Sequence, residues 1–151
     1  MDFLKEEIAE YVEIIWDKTL GIAVYPDDSA IDSDCGKEPS YSGIVQIAGD
    51  WSGAISIELQ RDFAIRAASA MFQMTPEQVG EEDLLDTVSE LSNIVAGNIK
   101  SVLPGESVLM IPIVAVAQAP SISMAEADLV SNVGFASEGH VAKVKIHQKR
   151  G

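Results

Sequence analysis

Five residues within Glu82–Leu103, EDLLDTVSELSNIVAGNIKSVL, could do chemistry together: Asp86, Glu90, Asn93, Gly97 and Lys100. At about 100° per residue on a helix, they fall within one arc roughly 80° wide. Two carboxylates, a carboxamide, a flat glycine and an ammonium would then share a face. A carboxylate can hold a cationic partner through an ionic hydrogen bond, and a carboxamide can donate to or accept from a water molecule without adding full charge. Such a set positions and docks. It supplies no nucleophile: the serines have no neighbouring histidine in sequence, and the single cysteine, Cys35, lies far from either histidine.

The element that must carry these groups is a helix. Leu84, Val88, Leu91, Val95, Ile99 and Val102 fall in the opposite arc, the spacing of a stripe that faces a core. Plain solvation of an acidic helix face is the alternative reading. Asn93 and Asn98, placed away from both ends of the predicted helix, argue for a docking face, because a mid-helix amide competes for backbone hydrogen bonds. Gly97 argues the same way. It costs about 1 kcal/mol against alanine in a helix interior, which fits a position where another surface comes close.

Composition narrows the partners. The 151 residues, 47% of them hydrophobic, fit one domain over residues 1–151 with its own core. The net charge of -14, from 24 acidic and 10 basic residues, disfavours nucleic acid and anionic lipid, whose binding rests on basic groups. No apolar run approaches the roughly 18 residues that argue a membrane span, so membrane insertion is not expected. A lone Cys35 rules out an internal disulfide and a cysteine metal cage, and with no secretory apolar segment it points to a reducing, cytoplasmic setting. Cys35 is expected to be structural, since Asp32 and Asp34 beside it oppose a thiolate.

The rest of the chain reads as support. An opening helix from Asp2 to about Lys18 has an apolar stripe through Ile8, Val12 and Ile15, and Leu20–Tyr25 reads as a short strand. Pro26–Pro39 is an acidic loop that lacks the glycine placement and terminal glutamate of a calcium loop. Tyr41–Ala48 and Ser52–Leu59 predict a hairpin, Arg61–Phe72 a helix, and Thr75, Pro76 and Gln78 a short capped turn. Ser107–Gln118 is a strand interrupted by Pro112, which implies an edge or a bulge. Ser121–Asp128 reads as a connection. Leu129–Ala136 and His140–His147 predict a second hairpin, in which His140 and His147 face opposite ways, which disfavours a shared metal unless the chain bends. In the last strand the alternation of Val141, Lys143 and Lys145 with Ala142, Val144 and Ile146 predicts a sheet with one solvent-facing side. The fold class expected is α/β in an α+β arrangement: a mainly antiparallel sheet of about five strands packed against helices.

The pattern Asp86-x-x-x-Glu90-x-x-Asn93, continuing through Gly97 and Lys100, resembles the signature of the CheC/CheX/FliY family of response-regulator phosphatases, and is most similar in arrangement to the CheX branch. The resemblance covers most of the chain, including the GDWSGAISI hairpin (Gly49 to Ile57) and the DLLDTVSELSNIVAGNIKS block (Asp83 to Ser101). It implies a CheC/CheX-like fold and removal of phosphate from the aspartyl phosphate of a CheY-like receiver. By the resemblance, Glu90 contacts the receiver's active-site lysine, Asn93 orients the attacking water, and Asp86 supports the surface with Gly97 and Lys100.

The same resemblance implies no cofactor on this chain, Mg2+ in the receiver partner, and the possibility of a homodimer. One Glu-x-x-Asn helix is present where two-motif members carry two. The family's proline after the motif helix corresponds to Pro112 or the later Pro120, with a spacing that departs from the family pattern. A receiver-binding adaptor without catalysis and a structural homodimer remain the other readings of the same residues.

Overall fold

The computed structural model describes residues 2–27, 40–117 and 127–150. Cys35, most of the acidic Pro26–Pro39 loop, Gln118, Pro120 and residues 121–126 lie outside the described residues. The elements run α1 (Asp2–Ile15), a single π turn (Trp16–Leu20), β1 (Tyr25–Pro26), β2 (Ser40–Gly49), β3 (Gly53–Gln60), α2 (Arg61–Phe72), a short 3-10 turn (Pro76–Gln78), α3 (Glu81–Lys100), β4 (Ser107–Leu109), β5 (Ile113–Ala117), β6 (Ala127–Ser137) and β7 (His140–Lys149).

The strands form one antiparallel sheet in the order β1-β6-β7-β3-β2-β4, with β5 also paired to β2. Among the described residues, seven strands replace the five expected. The increase comes at the margins: Pro112 splits the Ser107–Gln118 strand, so that β5 pairs with Ser40–Ile44 and β4 with Ile47–Gly49 along the same side of β2. Between them the Met110 N–H donates to the Gln46 carbonyl at 2.9 Å, keeping the interrupted strand aligned. Pro112 is thus at a sheet margin, where its missing N–H costs no central ladder bond.

The strand expected over Leu20–Tyr25 is mostly not one. Only Tyr25 and Pro26 pair, with Ala136 and Phe135 of β6. Ile22 and Val24 are nonetheless buried, so the alternation that looked like a strand records burial of a coil segment. The π turn ahead of it closes at Gly21, whose φ of 66° is in the left-handed region and whose N–H donates to the Asp17 carbonyl at 2.9 Å.

The three described α-helices lie on one face. α3 packs across β2 and β3, and also meets α1 and α2; α1 reaches β6, and α2 reaches β3 and β7. The core between the layers joins Val88, Leu91 and Val95 of α3 to Val45, Ile55, Ile57, Val144 and Phe135 of the sheet. Trp16 and Phe63 meet edge to face at 6.4 Å, and Phe63 stacks on His140 at 5.7 Å. The close approach of α3 to the sheet depends on Gly43: a Cβ there would overlap the Ser92 hydroxyl and crowd Val88 at 3.2 Å.

The opposite face is less open than the β7 alternation implied. Its rim carries exposed Gln46 and Ile113, but at its centre Ser42, Ser56 and Glu58 are buried, Glu58 to 3% exposure. Register explains the carboxylate's survival there, because Glu58 lies opposite Lys143, Ser56 lies opposite Lys145, and the Lys145 ammonium sits 3.4 Å from Glu58. His140 and His147 do face opposite ways. His140 stacks on the helix side, whereas His147 lies beside Lys145, and burial first and that ammonium second hold its imidazole below the usual histidine range.

Candidate functional site

α3 places the five residues as their spacing predicts. Asp86, Glu90, Asn93 and Gly97 are exposed and Lys100 is half-buried, while Leu84, Val88, Leu91, Val95 and Ile99 are buried on the other side. Two polar residues on the buried side need no outside partner. The Thr87 hydroxyl donates to the Asp83 carbonyl at 2.7 Å and the Ser92 hydroxyl to the Val88 carbonyl at 2.6 Å, each back to the preceding turn. The outward side differs. The side chains of Asp86, Glu90 and Asn93 make no hydrogen bond or ion pair with any described residue, so their polar groups are free for an external partner.

The two asparagines separate here. Asn98 lies in the last turn, not the middle of the helix, and its amide donates to the Ile94 carbonyl at 2.8 Å, which accounts for it as a local terminus contact. Asn93 has no such bond. A Cβ on Gly97 would meet no described atom within 4 Å, so nothing among the described residues requires the glycine. The bare backbone faces outward.

Both ends of α3 are fastened. At the start, the Gly80 N–H donates to Asp83 at 2.9 Å, and three acids, Glu81, Glu82 and Asp83, stand where the helix dipole favours negative charge. Tyr41 of β2 adds a longer tie: its phenol donates to Glu81 at 2.8 Å and accepts from Arg61 at 2.7 Å. Burial, then the hydrogen bond to Glu81, hold this phenol above its ordinary pKa. At the far end, Asp50 in the β2–β3 turn accepts from the Glu106 N–H at 2.8 Å and donates its own N–H to the Glu106 carbonyl at 2.9 Å, pinning the segment that leaves the helix. The outward face therefore sits on a helix held at both termini.

Two clefts flank that face. One, of about 780 Å³, runs past Gly97 and Lys100 toward Gly105 and Val108. The other, of about 410 Å³, lies between α2 and α3 and is lined by Met71, Phe72, Asp86, Ser89 and Glu90. Sequence reasoning did not single out Phe72. The signal was there: nine residues after Phe63, it lies about 180° around α2 from that buried ring, and it is 43% exposed. Among the described residues no group of three or more His, Cys, Asp or Glu side chains is arranged to hold a metal ion, and no helix is long and apolar enough to cross a membrane.

The fold recurs in known proteins. The fold matches that of the chemotaxis protein CheX from Vibrio vulnificus with a TM-score of 0.79 at 18% identity, over 97% of this chain and 96% of that one. CheX from Desulfovibrio desulfuricans matches with a TM-score of 0.78 at 17% identity, over 97% and 99%. The CheX of a CheX–CheY–BeF3–Mg2+ complex from Borrelia burgdorferi matches with a TM-score of 0.70 at 22% identity, over 96% and 97%. No curated protein matches the sequence. The family profile described as chemotaxis phosphatase CheX matches residues 41–135, which contain the β2–β3 hairpin, both following helices and most of β6. With well over half of its length matched, the chain belongs to the CheX family of chemotaxis phosphatases, within the CheC/CheX/FliY group.

Proposed function

We propose that this chain hydrolyses the aspartyl phosphate of a CheY-like receiver domain, with Asn93 positioning the attacking water and Glu90 docking the receiver. The observation that carries the reading is the pairing of an exposed carboxylate and an exposed amide one helical step apart, both without partners among the described residues, on a helix fastened at both ends. A relative of the same fold is known in complex with CheY, BeF3 and Mg2+. That supports a CheY-like receiver as the partner, with Mg2+ belonging to the receiver.

The chemistry asks little of the helper. Water oxygen forms a bond to phosphorus as the bond from phosphorus to the receiver's aspartate oxygen breaks; the aspartate leaves as a carboxylate, and the water's protons depart with inorganic phosphate and solvent. The receiver's Mg2+ offsets phosphoryl charge. What remains is to hold water in line, and an amide does so without bringing a further negative charge to the phosphoryl group. Glu90 meets the receiver's lysine through a charge-assisted hydrogen bond. Asp86, Gly97 and Lys100 complete the docking face: the glycine lets the receiver backbone come close, and the two charged groups set its orientation.

Phosphate release from a panel of phosphorylated CheY-like receivers tests the reading. The expected result is decay faster than intrinsic for at least one receiver. Intrinsic decay throughout, with normal binding to a receiver carrying beryllofluoride, would make the chain an adaptor.

The CheX resemblance also allows a homodimer, and we infer that its contact is the β4–β5 margin. Val108, Ile111 and Ile113 are exposed there, Ile111 to 87%, and among the described residues no strand pairs with the outer side of β4 or β5. An open apolar edge of this kind is a template for a further strand.

A further inference from the structure

The cleft between α2 and α3 has a use that the Glu90–Asn93 pair does not exhaust. One wall is apolar: Phe72 is 43% exposed at the end of α2, and Met71 beside it is half-buried. The other wall is acidic, with Asp86 and Glu90 one turn apart on α3 and Ser89 between them. Carboxylates four residues apart on a helix are neighbours, about 5–6 Å apart at Cβ, and repel each other unless a cation intervenes. No described residue supplies one, since Asp86 and Glu90 form no ion pair among the described residues. A large exposed aromatic at a helix end is equally unprovided for.

A single kind of group answers both walls. Lysine and arginine carry an apolar stem and a cationic tip, so the stem can lie on an aromatic face while the charge reaches a carboxylate, and the aromatic face itself attracts the cation. An acidic occupant would add a third negative charge to the cleft. A purely apolar one would leave Asp86 desolvated and unpaired. The chain's net charge of -14 reinforces the choice of a basic partner group.

We propose that this cleft is a selectivity slot for one basic side chain of the receiver, distinct from the lysine that meets Glu90, with its stem on Phe72 and Met71 and its charge on Asp86. The assignment rests on the receiver-phosphatase reading given above. It turns Asp86 from a general support of the surface into a direct contact, and it adds Phe72 and Met71 to the docking face. Receivers that lack a basic group at this place bind weakly even though every receiver offers Glu90 and Asn93 the same reacting centre.

The test uses the full chain and a CheY-like receiver carrying beryllofluoride and Mg2+ for binding, with its phosphorylated form for turnover. Asp86→Lys and Phe72→Ala alter opposite walls, and both positions are exposed enough for the folded state to persist, which circular dichroism checks. Asp86→Lys is expected to raise the half-saturating receiver concentration about tenfold or more and Phe72→Ala by a few-fold, with the loss recovered at high receiver concentration. Reversing the receiver's basic side chains to glutamate one at a time should identify one position that weakens binding to the unmodified chain and restores binding to Asp86→Lys.

If both folded variants bind as the unmodified chain does, or if no receiver reversal compensates Asp86→Lys, the slot is overturned. A chain that binds receivers with this pattern but accelerates no dephosphorylation sinks the phosphatase reading and leaves the slot standing. Turnover with unchanged binding in both variants does the reverse. Failure to bind any receiver overturns both.

Discussion

Tyr41 shows how much a single side chain contributes to presenting the site. Its ring is buried in the core while its hydroxyl emerges between the start of α3 and the start of α2, donating to Glu81 and accepting from Arg61. Arg61 and Glu81 also approach directly, at 3.4 Å, but both are substantially exposed, and an exposed pair alone contributes little. Tyr41→Phe should therefore cost about 1 kcal/mol, the net worth of a hydrogen bond, read by urea denaturation at neutral pH. The sign with pH is fixed by the raised phenol pKa. A group that holds its proton more tightly when folded gives stability that is complete below its unfolded pKa, 10.0, and is lost as pH rises through the folded value. Unmodified protein should accordingly lose stability on the alkaline side more steeply than Tyr41→Phe, and equal slopes for the two would remove the phenol from the account.

At the scale of elements, α3 is placed by a contact that no periodicity announces. Gly43 lets the Ser92 and Val88 side chains settle onto β2, and its substitution by alanine puts a methyl group into the space of the Ser92 hydroxyl. Gly43→Ala should destabilise the fold by about 1–3 kcal/mol, the usual cost of overpacking. Adding Ser92→Ala removes the hydroxyl that the new methyl overlaps, so the double variant should be more stable than the sum of the two single changes predicts. Strict additivity in denaturant melts would mean that the helix and strand are not locked at this point.

The helices and hairpins were legible because their signals are local. Buried Leu84, Val88, Leu91 and Val95 repeat at helical spacing, and the tight turn before β7 uses Glu138 and Gly139, both with positive φ, between paired Ser137 and His140. What sequence could not supply was pairing across the chain. Ile22 and Val24 alternate like a strand yet find no ladder, and the sheet face that the β7 alternation marks as solvent-facing holds a buried Glu58 paired with Lys145. The same holds at the site. The angular order of Asp86, Glu90 and Asn93 follows from one helix, but Phe72 reaches them only because α2 folds back against α3.

For the whole molecule, the sheet's two margins differ. One ends in the two-residue β1, and the other in the long interrupted line of β4 and β5, with Val108, Met110, Ile111, Ile113 and Val116 exposed along it. Covering that line with a second copy would complete the backbone ladder and remove apolar surface from water at roughly 25 cal/mol per Å². Equilibrium sedimentation across micromolar concentrations should show a dimer, and Ile113→Lys should shift it toward monomer by placing a charge at the contact. A chain that stays monomeric throughout contradicts this assembly.

The central claim is that Asn93 acts on the water and Glu90 on the receiver. Losing a contact made only in the transition state lowers turnover, whereas losing one already made on docking raises the receiver concentration needed. The direct measurement is the decay of phosphorylated receiver with Mg2+ present, run beside binding titrations against the beryllofluoride form, for the unmodified chain and for Asn93→Ala and Glu90→Ala. Turnover by Asn93→Ala should fall sharply, a loss of about 2.7 kcal/mol corresponding to roughly 100-fold, with a much smaller loss of binding, while Glu90→Ala should impair both. A folded Asn93→Ala that hydrolyses the phosphorylated receiver at the unmodified rate would contradict the account, whatever Glu90 then proved to do in docking.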